Sequence, residues 1–352
     1  MGEQTRRIGF ACAYTPLPLI HAAGYVPHRI LPTTEVPDAA GSLLHDNLCP
    51  HVKRVLDRAL AGDLPRLQGV VYMNSCDAMR RLADAWRTAR PDDRTAMVDL
   101  PFAHDAAAAE YLAGELGRFR DTLREWSGAA VEDETIAASI ELYHELALAL
   151  SSLQQRAARG TLSGAALQTL HNRSVTEPPE AIRNEAQGLL AEPETEADDG
   201  AVPLYLFGNV LPDAEAFELF ERCGARVKGD DLCTGSRQLA AEMFDPSSGT
   251  PLEQLARSLL SRPACARTIT ADRPGELGPQ VLAAAREAGA AGVIAYVMKF
   301  CDPYLGRMPR VREELGRAGL PLLVLEGDCT MRSLGQQQTR IEAFVEMLGG
   351  SP

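Results

Sequence analysis

Short apolar runs alternate with longer segments of helical period along most of the chain. Arg7–Tyr14 reads as a short apolar strand, followed by a helix through Pro18–Gly24 and a strand at Val26–Leu31. His51–Ala61 reads as a helix, Leu67–Met73 as a buried strand, Asp77–Ala89 as a helix and Thr95–Leu100 as another strand. Strands separated by helical stretches predict a parallel, doubly wound sheet, because parallel neighbours need a long crossover between them. Residues 106–190 read as wholly helical. Ile136, Ile140, Tyr143, Leu146, Leu150 and Leu153 recur at three- and four-residue steps, one apolar face of a long helix. The acidic stretch Glu192–Gly200 has Ala197 as its one apolar residue and reads as an exposed linker.

The α/β pattern then restarts. Val202–Phe207, Ala225–Lys228, Gly292–Met298 and Leu320–Glu326 are predicted strands. Asp213–Cys223, a segment following Cys233, Tyr304–Ala318 and Thr339–Leu348 are predicted helices. The two halves look like distant copies. Each opens with a strand, a helix ending in glycine (Gly24, Gly224) and a second strand, and each later carries an apolar run that ends in Cys-Asp. The first run is GVVYMNSCD, closing at Cys76-Asp77; the second is GVIAYVMKFCD, closing at Cys301-Asp302. The expected fold is α/β, with two flavodoxin/Rossmann-like parallel-sheet domains joined by a helical segment and the site at the domain interface. The expected divisions are 1–105 for the N-terminal α/β domain, 106–200 for the helices and linker, and 201–352 for the C-terminal α/β domain.

The repeated Cys-Asp ending carries chemistry. Ligands bind at the carboxyl ends of strands in an open α/β sheet. A cysteine placed there starts the next helix, whose dipole favours the thiolate. Two such cysteines in matching positions point to a shared metal site. Four more occupy loop-like contexts: Cys12 (FACAYTP), Cys49 (NLCPHVK), Cys233 (DDLCTGSR) and Cys265 (RPACART). Cys223 and Cys329 read as structural. No C-x-x-C occurs, which argues against a zinc ribbon, a thioredoxin motif or a ferredoxin run. A dispersed, thiolate-rich set suits iron–sulfur better than zinc. The reading outside redox chemistry is a cluster-free α/β binding protein whose cysteines are small core residues.

Charge and composition narrow the field. A net charge of −13 argues against binding to nucleic acid through a basic field. No apolar run approaches the roughly 20 residues that span a bilayer, and the start MGEQTRRIGFACAY lacks the h-region of a signal peptide. A cytoplasmic protein without a disulfide framework is expected. The three lysines, Lys53, Lys228 and Lys299, each lie within five residues of a cysteine. Either they support thiolates, or the placement is chance in a chain whose other basic residues are arginine.

Taken together, CAYTPLPLIHAAG, NLCP, SCDAMRRLADAW, DDLCTGSR, KFCDPY and the tail LPLLVLEGD…GQQQTRIEAFVEML make the chain resemble the 2-hydroxyacyl-CoA dehydratase D-component family. That family includes the benzoyl-CoA reductase cluster subunits and the double-cubane cluster proteins. The resemblance implies an oxygen-sensitive iron–sulfur cluster between α/β domains, reduced by a separate ATP-hydrolysing activator. In the dehydratases an electron of very low potential goes to the thioester of an (R)-2-hydroxyacyl-CoA. The ketyl radical expels the hydroxyl group to give an enoyl-CoA, and the electron is recycled. By the same resemblance, Cys49, Cys76 and Cys301 match the three thiolates of a [4Fe–4S] cluster with one open iron. Cys12, Cys233 and Cys265 fall on positions that are cysteine in the double-cubane branch, where six thiolates hold an [8Fe–9S] cluster. The implied alternatives are a double-cubane reductase of small molecules and a non-catalytic electron-relay subunit of a heterodimer. The implied partners are the activator, a homologous subunit and an acyl-CoA, with no nucleic acid and no membrane. One departure stands out: Pro18 occupies the place where the family has a glutamate. His21 and His51 are then the neighbouring acid/base candidates.

Overall fold

The structure, a computed structural model, describes residues 5–33, 35–194, 200–239, 249–263, 265–269, 276–328 and 334–349. The first sheet contains β1 (Arg7–Phe10), β2 (Val26–Arg29), β3 (Leu67–Asn74) and β4 (Thr95–Asp99). All pairs are parallel, in the order β2-β1-β3-β4. Between these strands run α1 (Leu17–Ala22), α2 (Pro50–Ala61) and α3 (Asp77–Ala89). Four helices follow: α4 (Ala106–Ser127), α5 (Asp133–Arg159), α6 (Gly164–Arg173) and α7 (Pro179–Ala191). The second sheet contains β5 (Val202–Gly208), β6 (Ala225–Asp231), β7 (Gly292–Met298) and β8 (Leu322–Gly327), again all parallel, in the order β6-β5-β7-β8. Its helices are α8 (Ala214–Arg222), α9 (Pro251–Ser261), α10 (Leu277–Glu287), α11 (Asp302–Arg317) and α12 (Leu334–Gly349). The expected pair of parallel-sheet α/β units is therefore present, and both have the same strand order.

Each sheet is covered on both faces, which explains the near-continuous apolar runs of β3 and β7. Ile8, Phe10, Val71 and Met73 pack against Leu112 and Phe119 of α4 and Ile136 and Leu146 of α5. Val70 and Tyr72 on the opposite face meet Val55 of α2 and Leu82 and Trp86 of α3. In the second sheet, Leu204, Leu206 and Ile294 meet Phe217, Phe220 and Phe344. Phe207, Val293 and Ala295 meet Val281, Met308 and Val311. α9 lies late in sequence yet packs on α4 and α5, with Leu255 and Leu259 in the first core. It starts with a full capping box, in which Thr250 and Glu253 satisfy each other's amides ahead of Pro251. Among the described residues, no helix is long and apolar enough to cross a membrane.

Several boundaries differ from the sequence expectation. β1 ends at Phe10, so Ala11–Tyr14 is loop. β6 runs on through Gly229-Asp230-Asp231, because pairing with β5 holds this polar tail extended. The segment after Cys233 is a series of turns through Leu239, not a helix. The amides of Leu232 and Ser236 both bond to Asp230 Oδ1, at 3.1 and 3.0 Å, and hold this segment back on itself. α9 and α10 are additions to the elements that the sequence pattern predicts. Of the acidic stretch, residues 195–199 lie outside the described residues.

Gly208 closes β5 with φ +142°, and a Cβ there would strike the carbonyl of Tyr296 on β7. Replacement by alanine combines a disfavoured backbone with a backbone clash. Gly208→Ala is expected to lose about 2–4 kcal/mol of stability, read as a lowered urea midpoint with an unchanged m-value.

Candidate functional site

The loops that leave the carboxyl ends of both sheets face one cavity of about 660 Å³. Its walls come from Ala11–Tyr14 after β1, Arg29 at the end of β2, Asn74–Cys76 after β3, Asp99–Phe102 after β4, Asn209 after β5, Cys233 after β6, and Met298 and Phe300–Tyr304 around the end of β7. The central positions of such sheets lie where the chain switches direction across the sheet, between β1 and β3 and between β5 and β7. Cys12 and Cys76 stand at the first switch point, and Asn209 and Cys301 at the second.

All six motif cysteines, Cys12, Cys49, Cys76, Cys233, Cys265 and Cys301, line this cavity. Cys49, Cys76 and Cys301 are the N-cap residues of α2, α3 and α11. Cys223 ends α8 and is not among the lining residues. Cys329 lies outside the described residues. The turn that presents Cys301 carries a cost: Phe300 has φ +59°, the one non-glycine residue with positive φ among those described. A left-handed phenylalanine persists where its surroundings fix it, and here it sets the sulfur of Cys301 at the helix start.

Burial dominates the state of these thiols. It pushes Cys12 up to about 11 and Cys49 up to about 12, and raises Cys76, Cys265 and Cys301 as well. Neighbouring sulfurs add to the rise. Cys49 feels Cys301 and Cys233, Cys12 feels Cys233 and Cys265, and Cys76 feels Cys12, Cys49 and Cys301. The six therefore form one electrostatic group. Against this, donors are aimed at the sulfurs. Asn209 Nδ2 reaches Cys301 Sγ at 3.3 Å, Arg237 Nη1 reaches Cys233 Sγ at 3.2 Å and the Arg267 amide reaches Cys265 Sγ at 3.3 Å. The amides of His51 and Val52 favour the thiolate of Cys49, and that of Met79 the thiolate of Cys76. Such bonds stabilise a sulfur that carries negative charge.

The cations here are arginines. Arg237 is fully buried and fully engaged: Nε donates to Asp231 Oδ1 at 2.7 Å, and its other nitrogens reach Gly208 O, Asp231 O and the Tyr304 hydroxyl. Arg29 is 1 % exposed. The lysines take no part: none lines the cavity, Lys53 sits near Asp46, and Lys228 donates to Ala158 O. Sequence reasoning missed Arg29, Arg237 and Asn209. A signal existed in Arg29, a charged residue inside the apolar run Val26–Leu31.

The two candidate histidines separate. His51 lines the cavity, with Nε2 3.4 Å from Ala11 O and Nδ1 unpartnered. Burial and the nearby Arg29 push it down to about 3, so its ring is neutral. His21 instead ties α1 to α5 and α7 through Ser139 at 2.8 Å and Glu180 at 3.0 Å, and does not line the cavity. Pro18 packs beside Leu17, Ile140 and Tyr143, also outside the lining. At the rim, the Arg267 guanidinium lies 3.4 Å from the ring centroid of the exposed Phe102. Asp99 accepts from Asn74 Nδ2 at 2.6 Å and from the Tyr111 hydroxyl at 3.2 Å.

Comparison with known proteins bears on this geometry. A family model described as 2-hydroxyglutaryl-CoA dehydratase, D-component, matches residues 12–348. The beta subunit of (R)-phenyllactyl-CoA dehydratase from Clostridium sporogenes is 24 % identical, over 98 % of this chain and 93 % of that one. Lactoyl-CoA dehydratase subunit beta from Anaerotignum propionicum is also 24 % identical, over 97 % and 91 %. One of the subunits of benzoyl-CoA reductase from Thauera aromatica is 22 % identical, over 90 % and 84 %.

The turn that delivers Cys233 has its own acid dependence. Burial pushes Asp230 up to about 6, well above the ordinary aspartate value. The folded protein thus holds this proton more tightly than the unfolded chain, so stability falls as pH rises from about 4 to about 6 and the loss is complete above that. Asp230→Asn keeps an acceptor for the two amides. It is expected to raise the melting temperature at pH 7.5 and to flatten part of the stability change between about pH 4 and 6, measured by thermal unfolding across that range.

Proposed function

Because the chain belongs to the 2-hydroxyglutaryl-CoA dehydratase D-component family, we propose that it is the iron–sulfur subunit of a 2-hydroxyacyl-CoA dehydratase-type enzyme. In this reading it takes a low-potential electron from an ATP-hydrolysing activator. It works beside a homologous subunit, and an (R)-2-hydroxyacyl-CoA loses water. The names of the relatives support the substrate class and the presence of a partner subunit. The observation that carries the iron–sulfur part is the convergence of six thiols, from both halves of the chain, on one cavity.

The donor set fits such a group. Thiols supply six of the lining side chains, and soft thiolate sets select iron–sulfur clusters. Among the described residues, no group of three His, Cys, Asp or Glu side chains is placed to hold a single metal ion. The sulfurs surround a volume instead, which suits a polynuclear body. Cys49, Cys76 and Cys301, each capping a helix, would hold a [4Fe–4S] cluster. When bound, the cluster supplies a single electron and, at an open iron, a Lewis-acid position for the substrate oxygen. The chain's own part is to receive negative charge and keep water away. Asn209, Arg237 and the Arg267 amide donate to sulfur. Val52, Met79 and Leu100 form an apolar lining, and the Phe102–Arg267 pair stands at the rim.

A second reading has a specific observation behind it. Cys12, Cys233 and Cys265 share the cavity with the other three, so all six would hold a double-cubane [8Fe–9S] cluster serving a reductase of small molecules. A non-catalytic relay subunit would need the same ligands. Pro18 lies outside the lining.

Protein prepared without air is expected to contain about four irons per chain under the first reading and about eight under the second, with matching sulfide. Cys76→Ala and Cys301→Ala abolish binding in both cases. Cys12→Ala leaves the content unchanged in the first case and lowers it in the second. Iron-free protein from anaerobic preparation, with its melting temperature indifferent to every one of these replacements, overturns both.

A further inference from the structure

Two guanidiniums are sealed beside the thiols, and only one is balanced. Arg237 has the carboxylate of Asp231 and four further acceptors. Arg29 lies at the carboxyl end of β2 and is equally buried. Its Nη1 donates to Cys233 O and to Gln238 Oε1, both neutral. Its Nε and Nη2 have no partner among the described residues, and no carboxylate there pairs with it. A guanidinium stays charged at every working pH, so it cannot escape the cost of burial by shedding its proton. A buried charge needs a counter-charge. The ionisable groups that favour its charge are Cys233 and Cys12. Its other neighbour, His51, is neutral and offers no negative charge.

We propose that Arg29 is a positioning residue that acts as the fixed counter-cation of the Cys12–Cys233 part of the thiol array, unbalanced in the metal-free protein and balanced when those thiols ionise to bind metal. The inference rests on the iron–sulfur reading in its six-thiolate form and deepens it. It gives a reason for Cys12 and Cys233 to serve as thiolates. A positive charge held beside the group also favours its more reduced, more negative form, and so raises its reduction potential.

The test uses the full chain as wild type, Arg29→Met and Arg29→Lys. Metal-free Arg29→Met is expected to melt above metal-free wild type, because an unbalanced charge has been removed. Cadmium titration of the metal-free proteins, followed by thiolate-to-metal absorbance, is expected to show binding about 10- to 100-fold weaker in Arg29→Met, with Arg29→Lys close to wild type. In iron-loaded protein the midpoint potential of Arg29→Met is expected to be more negative, with Arg29→Lys again near wild type. The proposal is overturned if Arg29→Met is less stable than wild type without metal or fails to fold. It is overturned equally if cadmium affinity is unchanged, or if Arg29→Lys is as impaired as Arg29→Met, which assigns the effect to shape. A wild type that takes no iron removes the cluster reading alone, since the cadmium and metal-free measurements still report whether Arg29 balances thiolates.

Discussion

Six half-buried thiols line one cavity beside two buried guanidiniums, Arg29 and Arg237, and their mutual charge balance governs the site. Burial disfavours the thiolate, and crowding by other sulfurs disfavours it further. The opposing forces are local and directional: helix N-termini under three of the cysteines, amide and guanidinium donors to the sulfurs, and the cations themselves. Neutral thiols beside an unmet guanidinium are a poor arrangement. In the iron–sulfur reading proposed above, thiolates bound to a cationic centre relieve it.

The fold reaches this arrangement by using one device twice. Both sheets have the same strand order, and both turn their carboxyl ends toward the same space. Parallel strands deliver every loop of one kind to one edge, so two such sheets facing each other concentrate their loops between them. The halves are not independent in packing. α9 belongs to the second half of the sequence but buries Leu255 and Leu259 in the core around α4 and α5. Gln154 of α5 donates to Asp230 at the end of β6. These crossings tie the two halves together.

Much of this is legible in the chain. The two Cys-Asp endings mark Cys76 and Cys301, because a short β-branched apolar run that stops before a helical period reads as a strand leading into a helix. Cys49 is legible from Pro50, which suits a first helical turn. The turns after Cys233 are not, since Thr-Gly-Ser-Arg-Gln is compatible with a helix. What prevents one is a bond pattern to Asp230 that depends on β6 extending farther than its apolar residues do. The lysines mislead because nearness in sequence is not nearness in space. The donors beside the thiols come from β2 (the Arg29 guanidinium), from the segment after β6 (the Arg237 guanidinium) and from the loop after α9 (the Arg267 amide), and only the tertiary fold brings them together.

The thiols enter the cavity from both ends of the polypeptide, Cys12 near the beginning and Cys301 close to the end. During synthesis the early cysteines leave the ribosome long before their late counterparts exist. Cys12, Cys49 and Cys76 then stand on an open wall, because the later thiols and the α9 side chains that complete the first core have still to be made. In the iron–sulfur reading, filling the six-thiol site therefore waits for Cys301, and a message truncated just ahead of Cys265 yields a product with four of the six thiols.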